Sequence, residues 1–363
     1  MRNLLTMSLL GLAIIAVSCK NDVSKIDNRR VVTYFEQTTN QSECCNYMMD
    51  SVLNEWGGVE VIRWYNNYNK AVAFTWDDNV PWHKYVAELF DKHGLQTTFF
   101  INTGLFYNWK SFVMNPLNYS RYKKISKNGH EIGTHTDRNI NYMSISTDDA
   151  EHEMILSSER VHSIFGYWPA TMSHPTSHYD ETIDSLMALH YIDSRYSVKK
   201  DNDSAYCFIR LRTSYQFSDY KASIDGFANS SSLSYVYGGH SMDGKGYEPI
   251  PSQTLDSLLD YIQMKYSNEF WITSFGNLAM YEYLFDNVNI TVNGNCVIIN
   301  IEKVKEKIDR FEYPQAILTI KFKGVNLDFY SNGLEKYWYG NGDSYVNIDL
   351  RKSNKLYFKP VML

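Results

Sequence analysis

Cysteines are few in this chain, and none stands in a paired motif. The 363 residues include five cysteines, and no two of them are spaced as CxxC. Cys44 and Cys45 are adjacent, a spacing at which a mutual disulfide strains the intervening peptide. The pattern therefore predicts neither a disulfide framework nor a cysteine-based metal site.

An excess of positive charge and long apolar segments are also missing. The chain has 35 basic and 41 acidic side chains, which gives a formal charge of −6. A protein that binds nucleic acid needs a basic face, so no nucleic-acid partner is predicted. Beyond the N-terminus, no segment is long and apolar enough to form a transmembrane helix.

Aromatic side chains, in contrast, are abundant. They make up 15% of the chain, with 29 tyrosines, 18 phenylalanines and 8 tryptophans. So many tyrosines indicate half-exposed rings, and such rings stack on sugars while their hydroxyl groups form hydrogen bonds. An aromatic-rich β-domain has the same composition, so composition alone leaves both interpretations open.

The N-terminus has the layout of a secretory signal. Arg2 precedes an apolar segment at 4–17, and small residues then lead to Cys19. The ending Ala16-Val17-Ser18-Cys19 resembles the lipobox of bacterial lipoproteins, in which the cysteine carries the lipid. We therefore predict a signal peptide at 1–18 and a lipid anchor on Cys19, with the protein facing the periplasm or the exterior. An ordinary signal peptide is the alternative.

The remaining chain divides by its hydrophobic pattern. Residues 19–67 are predicted to form a tether with a short helix at 46–56. From 68 to 285, strands such as 71–76, 97–102 and 270–273 alternate with helices such as 82–93, 147–165 and 253–264. This alternation predicts an α/β domain with a parallel sheet or barrel. Residues 286–363 contain short alternating strands and Asn-Gly turns, which predict a small antiparallel β-sandwich.

Polar residues follow several of the predicted strands. Asp77 and Asp78 end the first strand, and the sequence GHEIGTHT at 129–136 brings His135 to the end of another. Ser173-His174-Pro175 follows a third segment, and His240 comes after the strand at 234–237. Catalytic groups of α/β barrels gather at this carboxyl edge. The four positions together therefore predict one catalytic site.

With these motifs in order, residues 68–285 resemble the polysaccharide deacetylases, also called the NodB-homology or carbohydrate esterase family-four proteins. The resemblance rests on TWDD at 75–78, GHEIGTHT at 129–136, the His-Pro segment and the late histidine. It implies a distorted (β/α) barrel that removes N- or O-linked acetyl groups from a polysaccharide with one divalent metal. Zinc is the metal expected, with cobalt or nickel as alternatives.

The resemblance also implies roles for individual residues. Asp77 corresponds to the catalytic base, His240 to the general acid, and Asp78 and His135 to metal ligands. The family has a second ligand histidine where this chain has Asn139. An amide oxygen can ligate a metal more weakly than imidazole, so Asn139 is the candidate third ligand, with a loosely bound, different or absent metal as the open alternatives.

Two further positions differ from the family pattern. The arginine of the third motif, which orients the base, is replaced in Ser173-His174-Pro175, so His174 is a candidate for that role. In the family a glycine follows the Asp pair, whereas this chain has Asn79 there. The backbone N–H of Thr176, after Pro175, is a candidate oxyanion donor.

Two questions stay open at this level. These departures allow a catalytically impaired glycan-binding lipoprotein as the alternative to a deacetylase. The C-terminal domain is either a carbohydrate-binding module or a structural appendage. The rings expected to contact a sugar lie beside the predicted site: Trp76, Trp82, Tyr142, Tyr179, Tyr235 and Tyr237.

Overall fold

The computed structural model describes residues 30–31, 57–108, 113–114, 116–177, 179–195, 207–244 and 246–361. The predicted signal peptide, Cys19 and the predicted helix at 46–56 lie outside these residues. Among the described residues, no helix combines the length and the hydropathy that crossing a lipid bilayer requires.

Strands and helices alternate in the first two thirds of the described chain. In chain order the elements are β1 (Arg30–Val31), β2 (Val59–Val61), β3 (Lys70–Asp77), α1 (His83–Lys92), β4 (Thr98–Ile101), β5 (Tyr107–Asn108), β6 (Val113–Met114), α2 (Pro116–Lys127), β7 (Glu131–Thr134), α3 (Thr147–Phe165), β8 (Thr171–Ser173), α4 (Glu181–His190), β9 (Asp193–Arg195), β10 (Cys207–Arg210), α5 (Phe217–Ala228), β11 (Ser234–Gly239), α6 (Ser252–Tyr266), β12 (Phe270–Thr273) and α7 (Phe275–Asn287).

Eight of these strands form one parallel sheet. Its order is β10-β11-β3-β4-β7-β8-β9, and β12 pairs with the first half of β3. All of its strand pairs are parallel, so the carboxyl ends of the strands lie along one edge. The sheet curls into a partial barrel covered by helices, which confirms the predicted fold class.

The sequence of β3 explains its central place. Every residue from Ala71 to Asp77 is buried, so the strand is covered on both faces. Such a strand has a continuous apolar run rather than an alternating one, as is typical of parallel sheets. One hydrophobic cluster joins Phe74 and Trp76 to α1, and a second joins Ala71 and Ala73 to α7.

The last part of the chain is antiparallel. Its elements are β13 (Asn289–Asn293), β14 (Cys296–Asn300), α8 (Lys305–Arg310), β15 (Ile317–Phe322), β16 (Leu327–Tyr330), β17 (Leu334–Gly340), β18 (Asp343–Asp349) and β19 (Lys355–Pro360). They form two sheets with the orders β13-β14-β19-β16 and β1-β2-β15-β18-β17. The predicted antiparallel strands are confirmed, and β17 and α8 are additional. Strand β2 belongs to this second sheet although it precedes the parallel sheet in the chain.

Helix α7 connects the two parts of the molecule. Nearly all of its residues are buried, because it packs on the parallel sheet and on the antiparallel sheets. Its first turn lies against the buried carboxylate of Glu131 in β7. The backbone N–H of Gly276 donates to Glu131 Oε2 at 2.6 Å, and Thr98 Oγ1 donates to the same oxygen at 2.7 Å. A carboxylate at a helix N-terminus satisfies backbone N–H groups that have no partner within the helix.

Replacing Gly276 tests how closely this carboxylate and α7 are packed. A Cβ atom at this position would lie 2.3 Å from Glu131 Oε1, so we expect Gly276→Ala to lower the free energy of unfolding by about 1–3 kcal/mol. Gly226 in α5 is the matched control, since a Cβ atom there would have nothing within 4 Å. We expect Gly226→Ala to raise the free energy of unfolding by about 0.5–1 kcal/mol. Urea unfolding measures both, and an equal response of the two variants would contradict the close packing.

Candidate functional site

The two adjacent aspartates at the end of β3 lie in different environments. Asp77 is the last residue of the strand and is buried, whereas the Asp78 side chain is partly exposed. Asp78 has a φ of 70°, a left-handed conformation that is uncommon outside glycine. Asn79 fixes the turn, because it accepts from the backbone N–H of Asn102 at 2.8 Å and donates to the Asn102 carbonyl at 2.9 Å.

Arg195 is the partner of the buried Asp77. It stands at the carboxyl end of β9, and its Nη2 donates to Asp77 Oδ2 and, at 2.7 Å, to Ser173 Oγ. Its Nη1 donates to Thr75 Oγ1 at 2.7 Å. The expectation that His174 orients the base is therefore wrong, because a guanidinium already binds Asp77.

The Arg195 charge decides the ionisation of Asp77. Burial alone raises the pKa of this carboxyl, but the charge of Arg195, followed by those of His135 and His240, holds the pKa below its usual value. Among the described residues, Asp77 Oδ1 is buried and has no hydrogen-bond partner. Asp77 is thus an ionised carboxylate with one oxygen available to accept a proton.

His174 is a buried structural histidine. Its Nε2 lies 2.9 Å from Ser194 Oγ, and its ring stacks on Tyr179 with centroids 4.7 Å apart. Burial lowers the pKa of His174 to about 3, with the charges of His135 and Arg195 acting in the same direction. A neutral imidazole in this position supports the end of β8 and does not contact Asp77.

His135, Asp78 and Asn139 come together in front of Asp77. The carbonyl of Ser173 lies 2.7 Å from His135 Nδ1 and accepts its proton, which leaves Nε2 as the ligating nitrogen. That Nε2 lies 3.9 Å from Asp78 Oδ1, and Asn139 Nδ2 lies 3.2 Å from the same oxygen.

These donors fit a divalent cation with one anionic and two neutral ligands. An imidazole nitrogen and a carboxylate oxygen are common ligands, and an Asn amide also presents an oxygen when its side chain is flipped. The described residues contain no group of three His, Cys, Asp or Glu side chains placed to hold a metal. Asn139, which stands beside Asp78, is an amide and does not belong to these four residue types.

The loop that carries Asn139 is fixed by hydrogen bonds to a buried carboxylate. The backbone N–H groups of Asp137 and Arg138 donate to the buried Glu153 Oε2 at 3.1 and 3.2 Å. Thr136 and Asn139 have φ values of 63° and 57°. Left-handed residues of this kind persist only where surrounding contacts fix them, and they are frequent at functional sites.

His240 follows β11 and faces the site from the neighbouring strand. Its backbone carbonyl lies 2.8 Å from Nε2 of the buried His83, which donates to it. Burial lowers the pKa of His240, although the charges of Asp77 and Asp78 oppose this effect. The Nδ1 atom of His240 is buried and, within the described part of the chain, has no hydrogen-bond partner.

Most of the rings expected to contact a sugar are buried. Trp76 and Tyr237 have no exposed surface, and Tyr142 and Tyr235 are each 1% exposed. That expectation is wrong for these four, because each ring packs into a hydrophobic cluster around the sheet. Trp82 is half-buried, as is Tyr179 beside His174.

Trp82 lines an open groove beside Asp78. The groove is apolar, and its other lining residues are Asn79, Val80, Pro81, Leu105 and Gly246. On the opposite side of the site, Pro175 is buried and Thr176 is exposed with a φ of 59°. The role of the Thr176 N–H group stays a prediction.

Comparison with known proteins supports the family resemblance over part of the chain. Residues 65–193 match the family model described as polysaccharide deacetylase. This match supports the resemblance drawn from the motifs and the predicted hydrolase class.

Individual relatives are similar over part of the chain. The peptidoglycan-N-acetylglucosamine deacetylase of Bacillus cereus is 30% identical over 124 residues, which are 33% of this chain and 40% of that protein. This chain thus matches less than half the length of that relative.

Solved structures are similar at lower identity. A carbohydrate esterase family-four domain of a xylanase from the hindgut metagenome of Trinervitermes trinervoides is 15% identical, with a TM-score of 0.41 over 58% of this chain and 89% of that one. A family 4 acetyl xylan esterase from Clostridium thermocellum, solved with a cobalt ion, is 17% identical, with a TM-score of 0.40 over 58% of this chain and 90% of that one.

Removing the Arg195 charge tests the ion pair with Asp77. At pH 7 we expect Arg195→Met to lower the free energy of unfolding by about 3–5 kcal/mol, because a buried carboxylate loses its partner. The pKa of Asp77 is lowered in the folded state, so the pair contributes stability above the unfolded pKa of about 3.9 and loses it as pH falls through the folded pKa. The difference between native chain and variant should therefore narrow in strong acid.

Urea unfolding at pH 7 and at lower pH measures this difference. Lys305→Met is the control, since Lys305 pairs with Asp309 on an exposed surface and such pairs contribute little. A loss of stability in Arg195→Met that is the same at every pH would show that the pair is not ionic.

Proposed function

We propose that this chain, whose residues 65–193 match the polysaccharide deacetylase family model, is a metal-dependent hydrolase that removes N- or O-linked acetyl groups from a polysaccharide. The observation that carries the proposal is Asp77, a buried and ionised carboxylate. Arg195 fixes one of its oxygens, and the other has no partner among the described residues. Asp78, His135 and His240 surround this carboxylate at the same edge of the sheet.

Asp77 acts as the general base in this proposal. Its Oδ1 accepts the proton of the attacking water, while Arg195 keeps Oδ2 in place. A base must be within hydrogen-bond reach of the proton it removes and must be ionised at the working pH. Burial raises the pKa of Asp77, but the charge of Arg195 helps to hold it below its usual value, which meets the second requirement and leaves Asp77 as a modest but correctly charged base.

His240 acts as the general acid. The departing group is an amine or an alkoxide, and both need a proton to leave. His83 holds the backbone of His240 from below, so the imidazole is kept at the end of β11 beside the two aspartates. Burial lowers the pKa of His240, and the negative charges of Asp77 and Asp78 oppose this effect by favouring the protonated imidazole, which is the form that donates.

Asp78, His135 and Asn139 would hold the divalent metal. When bound, such a metal lowers the pKa of water and polarises the acetyl carbonyl. His135 is prepared for this role because Ser173 fixes its tautomer through Nδ1. An amide is a neutral and harder ligand than imidazole, so Asn139 weakens the preference for zinc and keeps cobalt and nickel as candidates.

The substrate in this proposal is an acetylated glycan of the cell envelope or of the exterior. The Bacillus cereus relative is named for peptidoglycan N-acetylglucosamine, which supports an amide of an amino sugar. The apolar groove at Trp82, Pro81 and Leu105 offers a surface for the C–H face of a sugar.

The proposal includes a lipid anchor on Cys19, which rests on the sequence ending Ala16-Val17-Ser18-Cys19. Acyl chains on this cysteine would hold the enzyme at a bacterial membrane. Full-length chain recovered from the soluble fraction after bacterial expression, without added lipid mass, would contradict the anchor.

Acetate release tests the function. The purified chain from residue 20 onward is incubated with Zn²⁺, Co²⁺ or Ni²⁺ and with acetylated xylan, chitooligosaccharide or peptidoglycan. Release from one of these substrates supports the proposal. A folded protein that releases no acetate with any metal would overturn it and favour the glycan-binding alternative.

Two substitutions assign the proton-transfer roles. We expect Asp77→Asn and His240→Gln each to reduce kcat by about 10²–10⁴-fold, the usual contribution of general acid–base catalysis. His190→Gln is the control, since His190 ends helix α4 and pairs with Glu151 on α3. Full activity in either site variant would remove that residue from the mechanism.

Restoring an imidazole at the third ligand position tests the metal site. Asn139→His replaces a neutral amide by a stronger ligand for zinc, so we expect the Kd for Zn²⁺ to fall by about tenfold or more, equivalent to about 1.4 kcal/mol. Titration calorimetry with Zn²⁺ alone measures this without reference to activity. Unchanged affinity would show that residue 139 does not contact the metal.

A further inference from the structure

Two arginines lie at the same sheet edge as the proposed active site but outside it. Arg210 is the last residue of β10, and Arg212 follows two positions later. Strand β10 pairs with β11 so that Arg210 lies opposite Gly238, two residues before His240. Both guanidinium groups are about one third exposed, with side-chain exposures of 33% and 31%.

One carboxylate lies between these two arginines. Glu248 Oε2 is 3.8 Å from Arg210 Nη1, and Glu248 Oε1 is 3.7 Å from Arg212 Nη1. Both distances exceed that of a hydrogen bond, so the contacts are electrostatic only. Glu248 Oε2 and Arg212 Nε are buried without hydrogen-bond partners in the described chain. The group therefore carries one net positive charge and unused donors.

The loop that supplies Glu248 is held close to both the arginines and His240. Its ends are joined by the N–H of Ile250, which donates to the Ser241 carbonyl at 3.0 Å. Thr213 Oγ1 donates to the Pro249 carbonyl, which ties the loop to the segment after β10. Glu248 itself has a φ of 43°, a strained conformation for a non-glycine residue.

This cluster adjoins the proposed general acid. Tyr247 is 59% exposed, and its ring meets the His240 ring edge-on with centroids 5.1 Å apart. Burial lowers the pKa of His240, and the positive charge of Arg210 adds to this effect in a minor way. A sugar whose leaving group is protonated by His240 would thus have its neighbouring unit over Tyr247 and near the arginines.

We propose that Arg210 and Arg212 bind a carboxylate on the glycan unit next to the acetylated sugar, and that Glu248 occupies their site until this carboxylate displaces it. The inference rests on the proposed function, since it places the glycan relative to His240. Guanidinium groups match the planar geometry of a carboxylate and bind it through paired hydrogen bonds. The Glu248 carboxylate shows that a group of this shape fits between the two arginines.

Binding of a matched pair of oligosaccharides tests this proposal. The acidic ligand is a tetrasaccharide of alternating N-acetylglucosamine and N-acetylmuramic acid with free carboxyl groups, and the neutral ligand is its carboxyl-reduced form. Titration calorimetry in EDTA measures both Kd values without turnover. We expect the native chain to bind the acidic ligand about tenfold more tightly, with a ratio that falls as salt is added.

Substitutions in opposite directions separate recognition from a structural role. The double variant Arg210→Gln/Arg212→Gln should bind both ligands with the affinity of the neutral one. Glu248→Gln should raise the affinity for the acidic ligand several-fold, because the competing carboxylate is gone. Lys305→Gln, on the exposed surface of α8, should behave like the native chain. Equal binding of the two ligands by the native chain would overturn the proposal, as would weakened binding of both ligands in both the double variant and Glu248→Gln.

The outcomes for the two proposals can be told apart. Preference for the acidic ligand without acetate release under any metal would refute the deacetylase and leave the carboxylate site in place. Acetate release at equal rates from acidic and neutral substrates, unchanged in the double variant, would keep the deacetylase and refute the carboxylate site.

Discussion

The buried ion pair of Asp77 and Arg195 is the contact on which the arrangement of this sheet edge depends. A carboxylate at 6% exposure would lose its charge or its place without a cation beside it. Arg195 supplies that cation from β9, which is four positions away from β3 in the sheet order. The same guanidinium group binds Thr75 of β3 and Ser173 of β8, so it joins three strands across the inside of the partial barrel.

The surroundings of Arg195 show why this cation can be buried. Its guanidinium carbon lies 5.4 Å from the ring centre of Phe100 and 5.6 Å from that of Phe208. A Cβ atom on Gly238 would lie 3.0 Å from Arg195 Nη1, so the strand beside it must have glycine to leave room. Two of the many aromatic rings thus enclose the Arg195 guanidinium, which is weakly hydrated and is favoured over ammonium in such a place.

More of the fold than of the site could be predicted from the sequence. Buried apolar runs and helical spacing locate β3, α3 and β12, because these patterns depend on near neighbours in the chain. Strand β17 was not predicted, since its side chains are mostly exposed and lack the alternation of a half-buried strand. Arg195 was not predicted either. Its relation to Asp77 spans 118 residues, and the sequence around it has no motif; the only signal was that a buried aspartate requires a cation.

The sequence predicts which polar residues gather at the site, but only the structure distinguishes their individual roles. His135 directly follows β7 and His174 directly follows the adjacent strand β8, so the sequence places both in the same kind of position. The Ser173 carbonyl leaves His135 with its Nε2 facing Asp78, whereas Ser194 and Tyr179 enclose His174. A histidine is a ligand or a structural residue according to which of its nitrogens is already occupied.

Contacts from Arg195 and Asn139 hold the two adjacent aspartates of the site in place. Two adjacent carboxylates repel each other. Arg195 compensates the charge of Asp77, and the Asn139 amide donates a hydrogen bond to Asp78. An imidazole at 139 could ligate a cation through nitrogen, but the amide can also donate to Asp78 without any cation present. The contacts of Glu153 with the backbone N–H groups of Asp137 and Arg138 fix the loop that carries this amide. In the proposed metal site the Asn139 side chain would turn its oxygen toward the cation and give up the hydrogen bond to Asp78, so metal affinity would depend on the chemistry of residue 139.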